Sequence, residues 1–193
     1  MSWTEAMDRA PRLLVFAGPN GSGKSSITVK IPPVGLYVNA DDIKRARGCT
    51  DLEAAQEAEQ IRHLLLSNKK DFTFETVLST PRNLDLLRQA KAAGYQIKAV
   101  FVLTKDPAVN MERVRQRTAA GGHDVPEDKI VSRYHRSLRN LAELVRIADQ
   151  TRVIDNTGEP PELICEVNGD SVRIIEGTHW KKKEILALLS LKK

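Results

Sequence analysis

The sequence is poor in cysteine. Cys49 and Cys165 stand far apart, and neither belongs to a C-x-x-C or Cys/His pairing. That spacing indicates neither a disulfide framework nor a zinc site, and it makes a reducing cytoplasm the expected compartment. Long apolar runs are also missing. No stretch of 18 apolar residues occurs, so no membrane span is expected. The opening MSWTEAMDRAPR carries acids and no apolar h-region, so secretion is not expected either. No internal repeat and no low-complexity segment is found.

What remains is an ordinary globular composition. With 193 residues, 41% hydrophobic and 28% charged, the chain can bury a proper core, and a single compact domain over 1–193 is expected. Lys and Arg outnumber Asp and Glu by 30 to 25, a formal charge of +5. The excess favours anionic partners, nucleotides first, and would also suit nucleic acid.

Apolar runs alternate with helical patterns, the sequence sign of an α/β fold with a mostly parallel sheet. Five strands are expected: Leu13–Ala17, Leu36–Asn39, Phe72–Glu75, Ile97–Leu103 and Arg152–Ile154. Helix signals lie between them. Thr50 and Glu53 make a capping box, Thr80-Pro81 opens a helix that Gly94 closes, and Asp106-Pro107 opens one that runs out at Gly121-Gly122. A further helix begins near Pro126 and carries Ile130, Tyr134, Leu138, Leu141, Leu144 and Ala148 on one stripe. Beyond residue 155, LICEV, the Asn168-Gly169 turn signal and VRII read as a C-terminal β-hairpin, about 162–176, attached to this body. Lys181–Lys183 and Lys192-Lys193 read as solvated tail charges.

Within AGPNGSGKSS, residues 17–26, Gly18, Gly23, Lys24 and Ser25 fit the phosphate-loop spacing G-x-x-x-x-G-K-[ST]. Glycines let successive N–H groups turn inward around a polyphosphate at a helix N-terminus. Lys24 then reaches the β- and γ-phosphates, and the Ser25 hydroxyl serves Mg²⁺. The expected nucleotide-binding residues are Gly18, Pro19, Asn20, Gly21, Ser22, Gly23, Lys24, Ser25 and Ser26. The motif lies between a hydrophobic strand and a helix start, the setting its mechanism needs. That helix must be short, because Ile31-Pro32-Pro33 interrupts it.

In an open parallel sheet, ligands bind beyond the carboxyl ends of the strands. Asp41 and Asp42 follow LYVNA, and Glu75 closes FTFE. A kinase needs a carboxylate near the γ-phosphate to take the acceptor's proton, and Asp41 is the better candidate. Each acid also has a plainer role: Asp41 or Asp42 could cap the helix that Ile43 enters. Glu75 lies among apolar residues, where an unpartnered carboxylate is costly. Glu57 and Glu59 read from spacing alone as a solvated helix face.

The segment MERVRQRTAAGGHDVPEDKIVSRYHRSLRN carries Arg113, Arg115, Arg117, Arg133, Arg136 and Arg139 around a Gly-Gly pair. Arginine forks suit the charge spread over a transferring phosphoryl group. A hinge at Gly121-Gly122 would let residues of about 113–136 close as a helical lid. Arg115 and Arg139 read as surface charges, and His123 is either a phosphate or substrate contact or a solvated loop residue. An RNA-binding face is the rival reading, but the segment lacks interleaved aromatics beyond Tyr134.

The stretches GPNGSGKSS, VNADDI, FTFETVLST, RVRQRTAAGGHDVPEDKIVSRYHRSLRNL and IDNTG, over roughly residues 12–160, resemble the zeta toxin family. These are P-loop kinases related to UDP-N-acetylglucosamine kinase, and the likeness is to their short bacterial branch. The resemblance implies a nucleotide-kinase-like, three-layer P-loop NTPase fold and an ATP- and Mg²⁺-dependent kinase. It implies Asp41 as the base on the acceptor hydroxyl, Lys24 and Ser25 on phosphate and metal, and Glu75 with Thr76 at the substrate. A substrate-contacting glutamate falls near Glu59. The first lid arginine is similar in place to Arg113, while the second faces the GGH segment, leaving Arg117, Arg133 or Arg136 to substitute, with His123 and Arg136 at the substrate. Established toxins of the family phosphorylate the sugar 3′-hydroxyl of UDP-N-acetylglucosamine and are usually accompanied by a small antitoxin. The expected partner is therefore a nucleotide sugar or another metabolite, with an antitoxin as a further candidate. A kinase of a nucleic-acid end and a non-catalytic ATP-binding regulatory module are the alternatives.

Overall fold

The computed structural model describes residues 9–122 and 124–190. Its centre is β1 (Arg12–Ala17), an apolar strand that runs into the glycine loop and then into α1 (Lys24–Thr28). The helix has five residues and gives way before the Ile31-Pro32-Pro33 interruption, as the sequence requires. The chain continues through β2 (Leu36–Val38), α2 (Ala40–Arg47), α3 (Asp51–Ser67), β3 (Phe72–Thr76), α4 (Arg82–Ala92), β4 (Gln96–Leu103), α5 (Pro107–Ala119), α6 (Glu127–Ile147) and β5 (Gln150–Asp155). It closes with β6 (Glu162–Asn168), β7 (Ser171–Ile174) and α7 (Lys182–Leu188).

The start signals act as their chemistry demands. Thr50 and Glu53 form a reciprocal capping box on α3, and the Asp106 carboxylate accepts the Ala108 N–H at 2.7 Å to start α5. Among the described residues, no helix is long and apolar enough to cross a membrane.

Seven strands form one sheet in the order β2-β3-β1-β4-β5-β6-β7. The first five are parallel, and β6 and β7 add antiparallel. The hairpin is therefore not an attachment to a five-stranded sheet. It extends that sheet, because β6 pairs along the whole free edge of β5, from Gln150–Asn168 to Asp155–Glu162. Pairing there satisfies backbone groups that an open edge would leave exposed.

Alternation along β1 divides the core. Leu13, Val15 and Ala17 join Phe72, Phe74, Ile97, Phe101 and Leu103 in a large cluster against α3, α4, α6 and α7. Leu14 and Phe16 face the other way, with Val100, Val102 and Ile27 of α1, covered further by Ile31 and Val34. The α6 stripe expected from spacing is the buried one: Ile130, Tyr134, Leu141 and Leu144 are 0–3% exposed. Lys181–Lys183 are exposed, as expected of solvated charges, but they open helix α7 instead of a loose tail. Ile185 and Leu189, four residues apart, are buried, Trp180 is buried beside them, and Lys105 lies 4.3 Å from the Trp180 ring centre. The pair Lys192-Lys193 lies outside the described residues.

Strand β1 lies between β3 and β4, so chain order reverses on its two sides, and a crevice opens beyond its carboxyl end. The glycine loop sits there.

Candidate active site

The loop is fixed by backbone and side-chain contacts from three directions. Gly18 N–H donates to the Thr76 carbonyl at 3.2 Å, continuing the β1–β3 pairing. The buried Asn110 of α5 donates to the Asn20 carbonyl at 2.6 Å and takes the hydroxyl hydrogen bond of Thr104. Asn156, just after β5, donates to the Ser22 carbonyl at 2.8 Å. Packing is tight enough that Gly23 has no substitute. Its φ is +85°, and a Cβ there would lie 2.1 Å from Asn156 Nδ2. Gly23 also begins α1, and no side chain caps that helix, so its first N–H groups keep their capacity for an anion.

A cleft of about 460 Å³ opens over this loop, lined by Asn20, Gly21, Gly23, Lys24, Ser25 and Ser26 on one side. Asn39, Asp41, Glu75, Thr76, Arg113 and Arg117 complete it. Four segments distant in the sequence thus place three cations and two carboxylates in one space. Lys24 Nζ donates to the Gly18 and Pro19 carbonyls at 2.8 and 3.2 Å. Burial pulls its pKa down to about 8, against the opposing pull of Glu75 and Asp41.

The acids are held differently. Asn39, not Asp41 or Asp42, caps α2: its side-chain oxygen accepts the Asp41 N–H at 2.9 Å. Asp41 is thereby left in the first turn with its carboxylate free for the cleft, while Asp42 pairs with Arg45 at 3.1 Å. Glu75 is half-buried and accepts a short hydrogen bond from the Tyr37 hydroxyl on the neighbouring strand. Burial and that carboxylate together raise the Tyr37 pKa well above its ordinary value, so the phenol remains a donor. The costly carboxylate of FTFE therefore has a partner. Thr76 spends its hydroxyl oxygen on Leu78 N–H and Asn83, 2.9 and 2.7 Å away, and so shapes the strained turn in which Leu78 has φ +55°.

On the arginine side, Arg113 Nη2 donates to the Thr157 carbonyl at 3.3 Å, and its Nη1 is buried with no partner among the described residues. Nη1 would come within 3.8 Å of a Cβ on Gly23, so this orphaned donor points at the loop. Buried donors without acceptors are rare, and an anion on the loop would satisfy this one. The residues present thus fit a bound polyphosphate, and Ser25 on the cleft wall offers a hydroxyl oxygen of the kind a hard cation such as Mg²⁺ takes.

Not every expected residue reaches the cleft. Glu59 lies on α3 and pairs with Arg82 at 3.1 Å, and Arg133 and Arg136 of α6 do not line it. Ser22 is fully buried, so it serves the loop through its carbonyl. Arg115 pairs with Glu127 at 2.7 Å, as a surface charge would. His123 lies outside the described residues. Spacing alone missed Tyr37, Asn39, Asn110 and Asn156; the asparagines before α2 and after β5 stood in strand-end loops, the one signal that could have found them.

A family model described as zeta toxin matches residues 31–161. The matched range begins after the phosphate loop and runs through Asp41, Glu75, the arginines and Asn156. An uncharacterized protein of Haemophilus influenzae is 23% identical over 133 residues, 64% of this chain and 92% of that one. Two solved structures share the fold. The AvrRxo1-ORF1:-ORF2 structure with ATP has a TM-score of 0.72 at 16% identity, covering 97% of this chain, which spans 65% of that chain's length. The PezAT toxin-antitoxin system of Streptococcus pneumoniae has a TM-score of 0.58 at 15% identity, covering 95% of this chain and 84% of that one.

Proposed function

This chain belongs to the zeta toxin family, and from that premise we propose that it is a Mg²⁺-dependent kinase that moves the γ-phosphoryl group of ATP to a hydroxyl. The observation that carries this reading is the single cleft in which Lys24 and Arg113 face Asp41 across the phosphate loop. Donor-side cations and an acceptor-side base are what phosphoryl transfer requires, since the reaction is governed by positioning and charge.

In this reading the whole chain works as one kinase unit. Lys24, Arg113 and Arg117 neutralise the transferring oxygens, and Ser25 holds Mg²⁺, which supplies charge to the β- and γ-phosphates when bound. Asp41 takes the acceptor's proton, and Glu75, oriented by Tyr37, binds the acceptor. Residues of about 113–136 act as the lid: Met111, Val114, Val125 and Ile130 already pack α5 and α6 together in a small cluster of their own. Arg133 and Arg136 join only if that segment moves.

A UDP-activated sugar, first UDP-N-acetylglucosamine, is the acceptor to try, and the family relationship supports a toxin controlled by a small antitoxin in the cytoplasm. PezAT, similar in fold, is a toxin-antitoxin system. Incubating the protein with Mg-ATP and a panel of UDP-sugars, nucleosides and RNA ends tests this: one acceptor class gains the roughly 80 Da of a phosphoryl group. ATP binding with no acceptor modified would instead favour the regulatory module.

A further inference from the structure

Outside the cleft, one group of side chains is arranged for a ligand that the kinase reading does not use. We propose that Asp155, Glu162 and His179 bind one divalent first-row transition-metal ion, of the zinc type, beneath the turn that anchors the phosphate loop. The proposal does not depend on the kinase reading.

The three residues come from the end of β5, the start of β6 and the segment before α7, and each offers a ligand atom within 4.8 Å of the others. His179 Nδ1 and Asp155 Oδ2 are 3.0 Å apart. Metal–ligand distances of about 2.0–2.2 Å to nitrogen and oxygen put neighbouring ligands roughly 3–3.5 Å apart, so one pair is already in place. Small side-chain rotations of Glu162 and His179 would close the set. A cavity of about 120 Å³ lies against these residues, with Glu159 also on its wall. It has room for an ion and a few waters to complete the shell.

Charge makes the same case. Asp155 is 2% exposed, and neither it nor Glu162 forms an ion pair with a lysine or arginine among the described residues. A buried carboxylate facing a second carboxylate needs a cation, and the imidazole of His179 is the basic group in contact with Asp155. Thr178 donates to both Glu162 oxygens, at 2.7 and 2.6 Å. Thr157 donates to Asp155 Oδ1 from its N–H at 3.0 Å and from its hydroxyl. Metal ligands are oriented by outer hydrogen bonds of this kind. The backbone makes room as well: a Cβ on Gly177 would lie 2.4 Å from Glu162 Oε2.

One imidazole with carboxylates selects a borderline ion such as Zn²⁺ over Mg²⁺. Cysteine spacing could not signal this site, because it uses no thiolate. Bound there, the ion would tie the hairpin and the segment before α7 to β5, one residue before Asn156, which holds the Ser22 carbonyl. Binding is therefore coupled to the folding of the C-terminal part.

The test uses the full chain, stripped of metal by chelation and titrated with Co²⁺. We expect visible ligand-field absorption saturating at one equivalent, displaced by Zn²⁺ and not by millimolar Mg²⁺. Thermal unfolding should shift up by several degrees in excess Zn²⁺. His179→Gln and Glu162→Gln should each weaken Co²⁺ affinity at least tenfold; should one variant not fold without metal, the other gives the comparison. Absence of saturable Co²⁺ binding by the unmodified chain, or unchanged affinity in a folded variant, would overturn the assignment.

Discussion

Asn156 Nδ2 donates to the carbonyl of Ser22 at 2.8 Å, across 134 residues of sequence, and so ties the end of β5 to the middle of the phosphate loop. The same amide fills the space that a side chain at position 23 would need. Replacing Asn156 with Ala leaves the Ser22 carbonyl buried and unpaired, at a cost of about 1–3 kcal/mol. We expect the Tm to fall by several degrees and KM for ATP to rise more than kcat falls. Calorimetry and initial rates check both.

Lys24 gives a pH signature. Its pKa in the folded protein is about 8 against an ordinary 10.5, with burial as the largest cause. Between those values the unfolded chain holds the proton that the folded chain has lost, so this group's contribution makes stability rise with pH across the window. A bound triphosphate restores the ammonium. ATP binding near pH 8.5 should therefore take up a fraction of a proton, and affinity should weaken as pH rises above about 8. Titration calorimetry in two buffers of different ionisation enthalpy measures the uptake, and Lys24→Met should abolish it.

The arginines divide by position. Among the described residues, Arg113 has a buried, unpartnered Nη1 directed at the loop, whereas Arg136 is exposed and donates to the Ser132 hydroxyl at 3.5 Å. Arg113→Ala should lower kcat by about 10²–10³, the usual loss for one preorganised donor on developing charge. Arg136→Ala should change kcat severalfold at most unless the lid closes. Steady-state rates of the two variants separate a preformed site from one completed by motion.

Tyr37 and Glu75 form a pair whose loss should be felt at the acceptor. Tyr37→Phe removes the donor that orients the carboxylate. We expect the acceptor KM to rise severalfold with ATP affinity unchanged, read from initial rates at saturating ATP.

Much of this arrangement was legible because its signals are local. Gly18, Gly23, Lys24 and Ser25 fall within eight consecutive residues, and the capping box at Thr50 and Glu53 is complete within one turn. Residues whose role depends on distant partners were not legible. Asn110 and Asn156 matter because α5 begins and β5 ends beside the loop, and no spacing encodes that meeting. Tyr37 finds Glu75 only through the β2–β3 register. The Asn168-Gly169 turn signal marks the β6–β7 hairpin, but its union with the sheet depends on the free edge of β5, a fact of topology. Lys181–Lys183 concealed α7, because its apolar contacts, Ile185 and Leu189, are few and its lysines dominate the pattern. Glu59 rests on the resemblance alone; it pairs with Arg82 and is not among the residues that line the cleft.

The account rests on Asp41 acting across the cleft from Lys24 and Arg113. The most direct measurement is the mass of the acceptor after incubation with Mg-ATP, for the unmodified chain and for Asp41→Asn. The account predicts a gain of roughly 80 Da with the unmodified chain. It predicts a rate lower by about 10²–10⁴ in the variant, with ATP binding retained. Full activity in a folded Asp41→Asn variant would contradict it.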